Sequence, residues 1–263
     1  FIHAADLHLG SPFRGLATKD AAVAQRFAEA TRTAFSNLVE QAIELKVDFV
    51  VIAGDVYDGE WRDNAIGLFF NRQVARLDRA QIPVFVLKGN HDADSVVTKS
   101  VTLPASVQQF ETRKPSTFRL DTLKVALHGQ GFTDRATSDN LALGYPAPVP
   151  GWFNIGVLHT SLTGRPPHDT YSPCAVPDLV SRGYDYWALG HVHEFEIVAR
   201  DPAIVFPGNL QGRSVRETGA KGAVLVTVVD NQVRGIERLI VDEARWHEFA
   251  IDLAGLETQP DLW

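Results

Sequence analysis

Five short apolar runs, at 1–5, 48–53, 83–87, 154–158 and 184–189, each give way to a polar side chain that can hold a cation. Asp6 and His8 follow the first, and Gly54-Asp55 the second. Gly89-Asn90-His91-Asp92 closes the third after Lys88, His159 closes the fourth, and Gly190-His191-Val192-His193 closes the fifth. Apolar runs of this length, bounded by Gly, Asp or Pro, read as strands buried on both faces. In an open α/β sheet, ligands gather beyond the carboxyl ends of the strands. The sequence therefore predicts one rim carrying Asp, Asn and His. A single loop acquires an Asp or His by chance; five loops in register are poorly explained as decoration.

Helical spacing fills the gaps between the first three runs. Val23, Phe27, Ala30, Ala34, Leu38, Ala42 and Leu45 recur along 20–46, and Ile66, Phe69, Phe70, Val74 and Leu77 along 65–79. Strand, helix, strand, helix, strand implies right-handed parallel crossovers and a sheet covered by helices. The second half changes character. Segments 117–120 and 123–128 flank Asp121-Thr122 as a hairpin, and 195–199, 204–206, 223–229 and 232–241 are strand-like, with turns at Asp201-Pro202 and Asp230-Asn231. A second, more antiparallel sheet is expected. The Pro- and Gly-rich stretch 145–151 is a loop, too short to argue a domain boundary. Residues 1–245 are read as one domain, and 246–263 as a terminal strand or the start of a further domain.

Hydrophobic residues make up 45% of the 263 and charged residues 22%, so the chain can bury a core without disulfides. Cys174 is the only cysteine. No apolar run approaches the roughly 20 residues a membrane helix needs, and no basic leader precedes the first strand. These features give the expectation of a cytoplasmic protein with no membrane association. Methionine is absent and position 1 is Phe1, as expected of a chain that has lost its start. The net charge of −7 is opposite in sign to that of many nucleic-acid binders. Clustered carboxylates that hold metals would account for part of it, and a local basic path stays compatible.

The spacings suit metal binding. Asp6-Leu7-His8 and His191-Val192-His193 set polar side chains two residues apart, on the same side of an extended backbone. Glycines before Asp55, Asn90 and His191 allow sharp turns or close approach to an ion. Carboxylate, amide and imidazole without thiolate suit Mn, Fe, Zn or Mg. Seven ligands exceed what one ion needs, so two divalent ions sharing a carboxylate are expected, with Mn favoured. Two such ions roughly 3.5–4 Å apart lower the pKa of a shared water.

In order, Asp6-x-His8, Gly54-Asp55, Gly89-Asn90-His91-Asp92, His159 and Gly190-His191-x-His193 resemble the calcineurin-like metallophosphoesterase superfamily, over roughly 1–241. The stretches "FIHAADLHLGSPF" and "GDVYDG" look most like its DNA-repair exonuclease branch, the SbcD-like nucleases, and especially the YhaO-like subgroup. The resemblance implies the metallo-dependent phosphatase fold: an α/β two-sheet sandwich flanked by helices, with mixed parallel and antiparallel strands. It implies that Asp6, His8, Asp55 and His193 hold one metal, that Asp55, Asn90, His159 and His191 hold the other, and that Asp55 bridges. It implies that a hydroxide shared by the two ions attacks phosphorus in line, with charge on the equatorial oxygens neutralised by the ions. His91 would face the substrate phosphate, donating a proton to the leaving oxygen or stabilising charge, and Asp92 would orient His91 through its ring N–H. One position departs from the better-known nucleases of the branch: Asp58 stands where they carry a second active-site histidine. A histidine there can donate to phosphate, whereas an ionised Asp can only accept or repel.

Other polar residues read more plainly. His3 lies inside the first strand and reads as packing, Cys174 as a small buried apolar residue. His128 follows a strand and could edge the rim, His168 lies in the loop after His159, and His247 carries no signal. Lys88, Arg165, Arg213, Arg216 and Lys221 are candidates to meet a phosphate backbone, as are the N–H groups of the 207–213 turn. The resemblance implies DNA as partner together with an SMC-like coiled-coil ATPase, and it allows a homodimer. Three functions stay open: a DNA exonuclease or endonuclease of the repair type, a phosphoesterase for small nucleotides, and a catalytically weak DNA-binding subunit of an ATPase complex.

Overall fold

In the computed structural model, residues 1–11, 21–58, 64–94, 103–134, 137–163 and 171–250 are described, without the side chains of 21–28, 64 and 94. Among the described residues, twelve strands form two six-stranded sheets. The first has the order β12-β11-β1-β2-β3-β4, with β1 at Ile2–Ala4, β2 at Val50–Ala53, β3 at Val84–Leu87, β4 at Val107–Gln109, β11 at Gly222–Val229 and β12 at Gln232–Ile240. The second has the order β5-β6-β7-β8-β10-β9, with β5 at Ser116–Leu120, β6 at Val125–Gly129, β7 at Phe153–His159, β8 at Tyr186–Gly190, β9 at Glu196–Arg200 and β10 at Ala203–Phe206. Helices α1 (Ala21–Glu44) and α2 (Asn64–Arg79) make the parallel crossovers from β1 to β2 and from β2 to β3.

Strand alternation explains why the runs are apolar throughout. Ile2, Val50, Ile52, Val84 and Val86 face α1 and α2, packing on Phe35, Leu38, Phe70, Val74 and Leu77. Their neighbours Phe1, Phe49, Val51, Phe85 and Leu87 point the other way, into the seam between the sheets, against Leu127, Ile155, Val157, Tyr186 and Val205. Each such side chain, fully buried, stabilises by about 1.5–3 kcal/mol. That gain presses the sheets together and aligns the strand ends on one side. The far face of the second sheet is covered by Leu158, Trp187, Leu189, Ile204 and Phe206, packed under Tyr145, Leu179 and Tyr184. A short helix, α3 (Asn90–Asp94), follows β3, and Leu179 belongs to another, α4 (Val176–Val180).

The two-sheet, mixed α/β sandwich agrees with expectation, but strand allocation differs. The second sheet is not more antiparallel: β6, β7, β8 and β10 pair in parallel, and only the edge strands β5 and β9 run antiparallel. The predicted β11–β12 hairpin joins the first sheet instead, with β11 antiparallel to β1. It turns at Asp230 and Asn231, both in the left-handed region (φ 52° and 57°), the geometry a tight hairpin favours. Pairing partners far apart in sequence are set by the seam between the sheets, and periodicity carries no record of that. Strand β4 was not anticipated. Residues 246–250 form no strand, only a bridge between Thr218 and Trp246, and 251–263 lie outside the described residues. Among the described residues no helix is long and apolar enough to cross a membrane.

Candidate metal centre

The rim draws on both sheets. Strands β1, β2 and β3 lead into Asp6 and His8, Asp55, and Asn90, while β7 ends on His159 and β8 leads into His191 and His193. Asp6, His8, Asp55, Asn90, His159 and His191 are all buried, and His193 is partly so.

Backbone strain marks the place. Asp6 (φ 51°), His8 (42°), Asp55 (53°) and His191 (99°) occupy the left-handed region that non-glycine residues rarely adopt. Such strain persists only where the surroundings enforce it, and it concentrates at functional sites. Here the β1 loop is stitched to the β2 loop, with the Asp6 N–H on Gly54 O (3.0 Å) and the His8 N–H on Asp55 O (3.0 Å). Gly54 itself has φ 99°, and a Cβ there would lie 2.3 Å from His159 Nδ1. At Gly190 it is space that decides, because a Cβ would lie 1.9 Å from Ala53 O.

The side chains converge with acceptors facing acceptors. His159 donates from Nδ1 to Ala53 O (2.9 Å), which leaves Nε2 aimed at Asn90 Oδ1 (2.9 Å) and Asp55 Oδ2 (3.4 Å). Three lone-pair atoms at these distances need a cation among them. Without metal, a proton fills that role: burial would lower the His159 pKa, but Asp55 and Asp6 override it and lift the ring to about 9. On the other side, His8 Nε2 and His193 Nε2 lie 3.2 Å apart, with His193 Nε2 3.9 Å from Asp6 Oδ1. His8 Nδ1 is buried without a hydrogen-bond partner, so the ring is held by what meets Nε2. Burial, reinforced by Arg213, pushes the His8 pKa well down, which favours the neutral ring that metals take. Asp55 Oδ2 stands between the two groups, 3.9 Å from His8 Nε2 as well. Burial opposes its charge, but His159 and His8 hold the carboxyl well below its ordinary range. Among the described residues, three sets of potential ligand atoms lie within 4.8 Å of one another: Asp6, His8 and His193; Asp6, Asp55 and His159; and His8, Asp55 and His91. The donor set fits a pair of cations. His191 is fixed nearby, its backbone N–H reaching both Asp6 carboxylate oxygens (3.0 and 3.2 Å) and its ring centroid 5.2 Å from that of His159.

His91 sits at the mouth, its side chain 27% exposed, and Asp58 Oδ1 lies 3.2 Å from its Nδ1. The carboxylate on His91 is therefore Asp58 and not Asp92. Asp92 is turned inward, where it accepts the N–H groups of Tyr57 (3.0 Å), Gly89 (3.0 Å) and Val56 (3.2 Å). Those bonds tie the β2 loop to the β3 loop and engage both Asp92 carboxylate oxygens. Burial and the nearby Asp55 raise the Asp92 pKa to about 6 in spite of them. Asp58 also accepts from Ser11 Oγ (2.8 Å) and lies 3.5 Å from Arg213 Nη1. The His91 hydrogen bond, helped by Ser11 and Arg213, holds its carboxyl at about 2.

Of the basic candidates among the described residues, only Arg213 has contacts that place it beside His91. Lys221 is buried and occupied, donating to His193 O (3.1 Å) and Glu194 Oε1 (2.6 Å). Arg216 is exposed, Lys88 is half-buried, and Arg165 and His168 lie outside the described residues. His128 is held within the second sheet by Thr117 (2.8 Å) and Asn154 (3.1 Å) and contributes no ligand atom, while His247 is exposed. His3 is buried between Tyr186 OH and Leu189 O (both 3.0 Å), as its strand position suggested. Sequence reasoning missed Glu217, whose Oε1 lies 2.6 Å from His193 Nδ1. An isolated carboxylate in a polar loop, between Arg216 and Thr218, gives no periodic or spacing signal.

The calcineurin-like phosphoesterase family model matches residues 1–195. The uncharacterized metallophosphoesterase YhaO of Bacillus subtilis is 36% identical over 267 residues, which span 100% of this chain and 65% of that protein. The DNA double-strand break repair protein Mre11 of Methanopyrus kandleri is 26% identical over 211 residues, covering 73% of this chain and 44% of that protein. The chain thus spans less than two thirds of these relatives. A dimetal phosphatase from Danio rerio superposes with a TM-score of 0.49 at 11% identity, covering 93% of this chain and 98% of that one, a likeness too loose to carry an argument. The family match extends over every strand end described above, and on that ground the chain belongs to the calcineurin-like phosphoesterase family.

Proposed function

We propose that this chain is a two-metal phosphodiesterase that cleaves DNA. Asp6, His8, Asp55 and His193 would hold one ion, and Asp55, Asn90, His159 and His191 the other. The single observation that carries the reading is the convergence of potential ligand atoms around Asp55, with His159 Nε2 and His8 Nε2 at 3.4 and 3.9 Å from one carboxylate oxygen. When bound, two divalent ions supply an activated water and neutralise charge on the phosphate oxygens.

The chain's own residues do the rest. Asp58 fixes the His91 ring through Nδ1, leaving Nε2 for the substrate. Burial tends to deprotonate His91, but Asp58 and Asp55 outweigh it and the pKa rises above its ordinary value. That shift favours the protonated ring, the form that can donate to the leaving oxygen. Arg213 beside it offers a guanidinium to a phosphate that Asp58 alone would repel. Glu217 aligns His193.

DNA as substrate is supported by the similarity to an Mre11 repair protein. A small-nucleotide phosphoesterase is the second reading, favoured by the net charge of −7 and by Asp58 at the mouth. The test incubates the protein with Mn and compares labelled linear DNA, circular DNA and a bis-aryl phosphodiester. Cleavage of linear DNA is expected. Turnover of the aryl ester with no DNA cut would move the assignment to small substrates, and no turnover of any would leave a DNA-binding subunit.

A further inference from the structure

The segment between β10 and β11 crosses from the second sheet to the first at the rim, and in crossing it delivers Glu217 to a proposed ligand. Glu217 Oε1 lies 2.6 Å from His193 Nδ1. Its other oxygen is fully engaged, accepting the Arg213 backbone N–H (2.6 Å) and Asn209 Nδ2 (3.2 Å). Asn209 is buried, and its carbonyl accepts the N–H of Gly222, the first residue of β11. The carboxylate is thus fixed in place by a loop anchored to both sheets. His193 is pinned a second time, by Lys221 Nζ on its carbonyl at 3.1 Å.

An ionised carboxylate accepts only, so His193 must carry its proton on Nδ1. Nε2 is then a lone pair, and it points at the space shared with His8 Nε2 (3.2 Å) and Asp6 Oδ1 (3.9 Å). Carboxylates placed this way fix ring orientation and raise the basicity of a metal-binding nitrogen.

We propose that Glu217 is a positioning residue that sets the tautomer and aim of His193, so that it governs occupancy of one of the two ions and leaves the other alone. The proposal rests on the two-metal reading above. It is tested by titrating Mn(II) into wild type, Glu217→Ala and Glu217→Gln, with bound metal counted by EPR. Wild type is expected to bind two ions. Glu217→Ala is expected to keep one and to weaken the other by about 10–100-fold, and Glu217→Gln to weaken the same ion less. Imidazole 15N NMR of the metal-free protein should show His193 protonated on Nδ1 in wild type and mixed between its nitrogens in Glu217→Ala.

Two ions bound by both variants with wild-type affinity would overturn the role of Glu217 and leave the metal reading standing. Equal weakening of both ions, or loss of fold in both variants, would make Glu217 a general structural residue. A wild type that binds no Mn would overturn the metal reading, and this proposal with it.

Discussion

Asp58 and His91, 33 residues apart in the chain, meet at 3.2 Å at the mouth of the site, and the meeting gives His91 an acidic partner where a second histidine was the alternative. The β2 loop that supplies Asp58 is the same loop that supplies Asp55, so the proposed bridging ligand and the His91 partner are three residues apart in the chain.

Removing that partner should act on the chemistry and spare the metals. Asp58→Asn is expected to lower kcat about 10–100-fold, at or below the low end of the roughly 10²–10⁴-fold that a positioned proton donor supplies, while Mn binding stays at two ions. Asp58 helps hold the His91 pKa up, so the alkaline fall in the rate should begin at lower pH in the variant. A pH–rate profile unchanged in shape would separate His91 from proton donation.

Asp92 has a different task, and its variant should fail differently. Asp92→Ala strands the buried N–H groups of Val56, Tyr57 and Gly89. Each orphaned donor costs about 1–3 kcal/mol, so a loss of at least about 3 kcal/mol is expected in urea unfolding. A loss under about 1 kcal/mol would show that water replaces the carboxylate freely.

His3 predicts a pH dependence of stability. Burial pushes its pKa down to about 3, against an ordinary value of 6.5. Between those values the unfolded chain binds a proton that the folded chain refuses, so stability is complete above about pH 6.5 and falls as pH drops towards 3. The slope due to this one ring is about 1.4 kcal/mol per pH unit. His3→Gln should flatten the curve by about that amount, even if it is less stable at pH 7 because Tyr186 and Leu189 lose a partner. Parallel curves for wild type and variant would contradict the account.

At Gly54, any side chain meets both a positive φ and the His159 ring. Gly54→Ala is expected to lower Tm by several degrees and to weaken Mn binding, read by calorimetry on the same preparation. A variant with wild-type metal affinity would mean that the β2 turn can shift without moving Asp55 or His159.

Much of this was legible in the sequence because the signals are local. An apolar run ending in Asp55 or His159 writes strand, rim and side-chain type into a few consecutive residues. Helical spacing likewise gave α1 and α2 to within a residue or two. What escaped depends on residues distant in sequence. That β11 pairs with β1, and that β8 pairs with β10 in parallel, follows from packing Phe49, Phe85, Ile155 and Val205 in one seam, which no periodicity encodes. The same holds in the site. Asp92 is adjacent to His91 in sequence, yet the short helix α3 (Asn90–Asp94) turns it inward, and Asp58 reaches the ring from another loop. Glu217 sits 24 residues beyond His193, on a loop whose path only the two sheets determine.

The central claim is that two cations share Asp55, and the most direct measurement is anomalous diffraction from crystals grown with Mn. Two anomalous peaks are predicted, one touching Asp6, His8 and His193, the other touching Asn90, His159 and His191, with Asp55 contacting both. A single peak, or peaks that leave Asp55 untouched, would contradict the account.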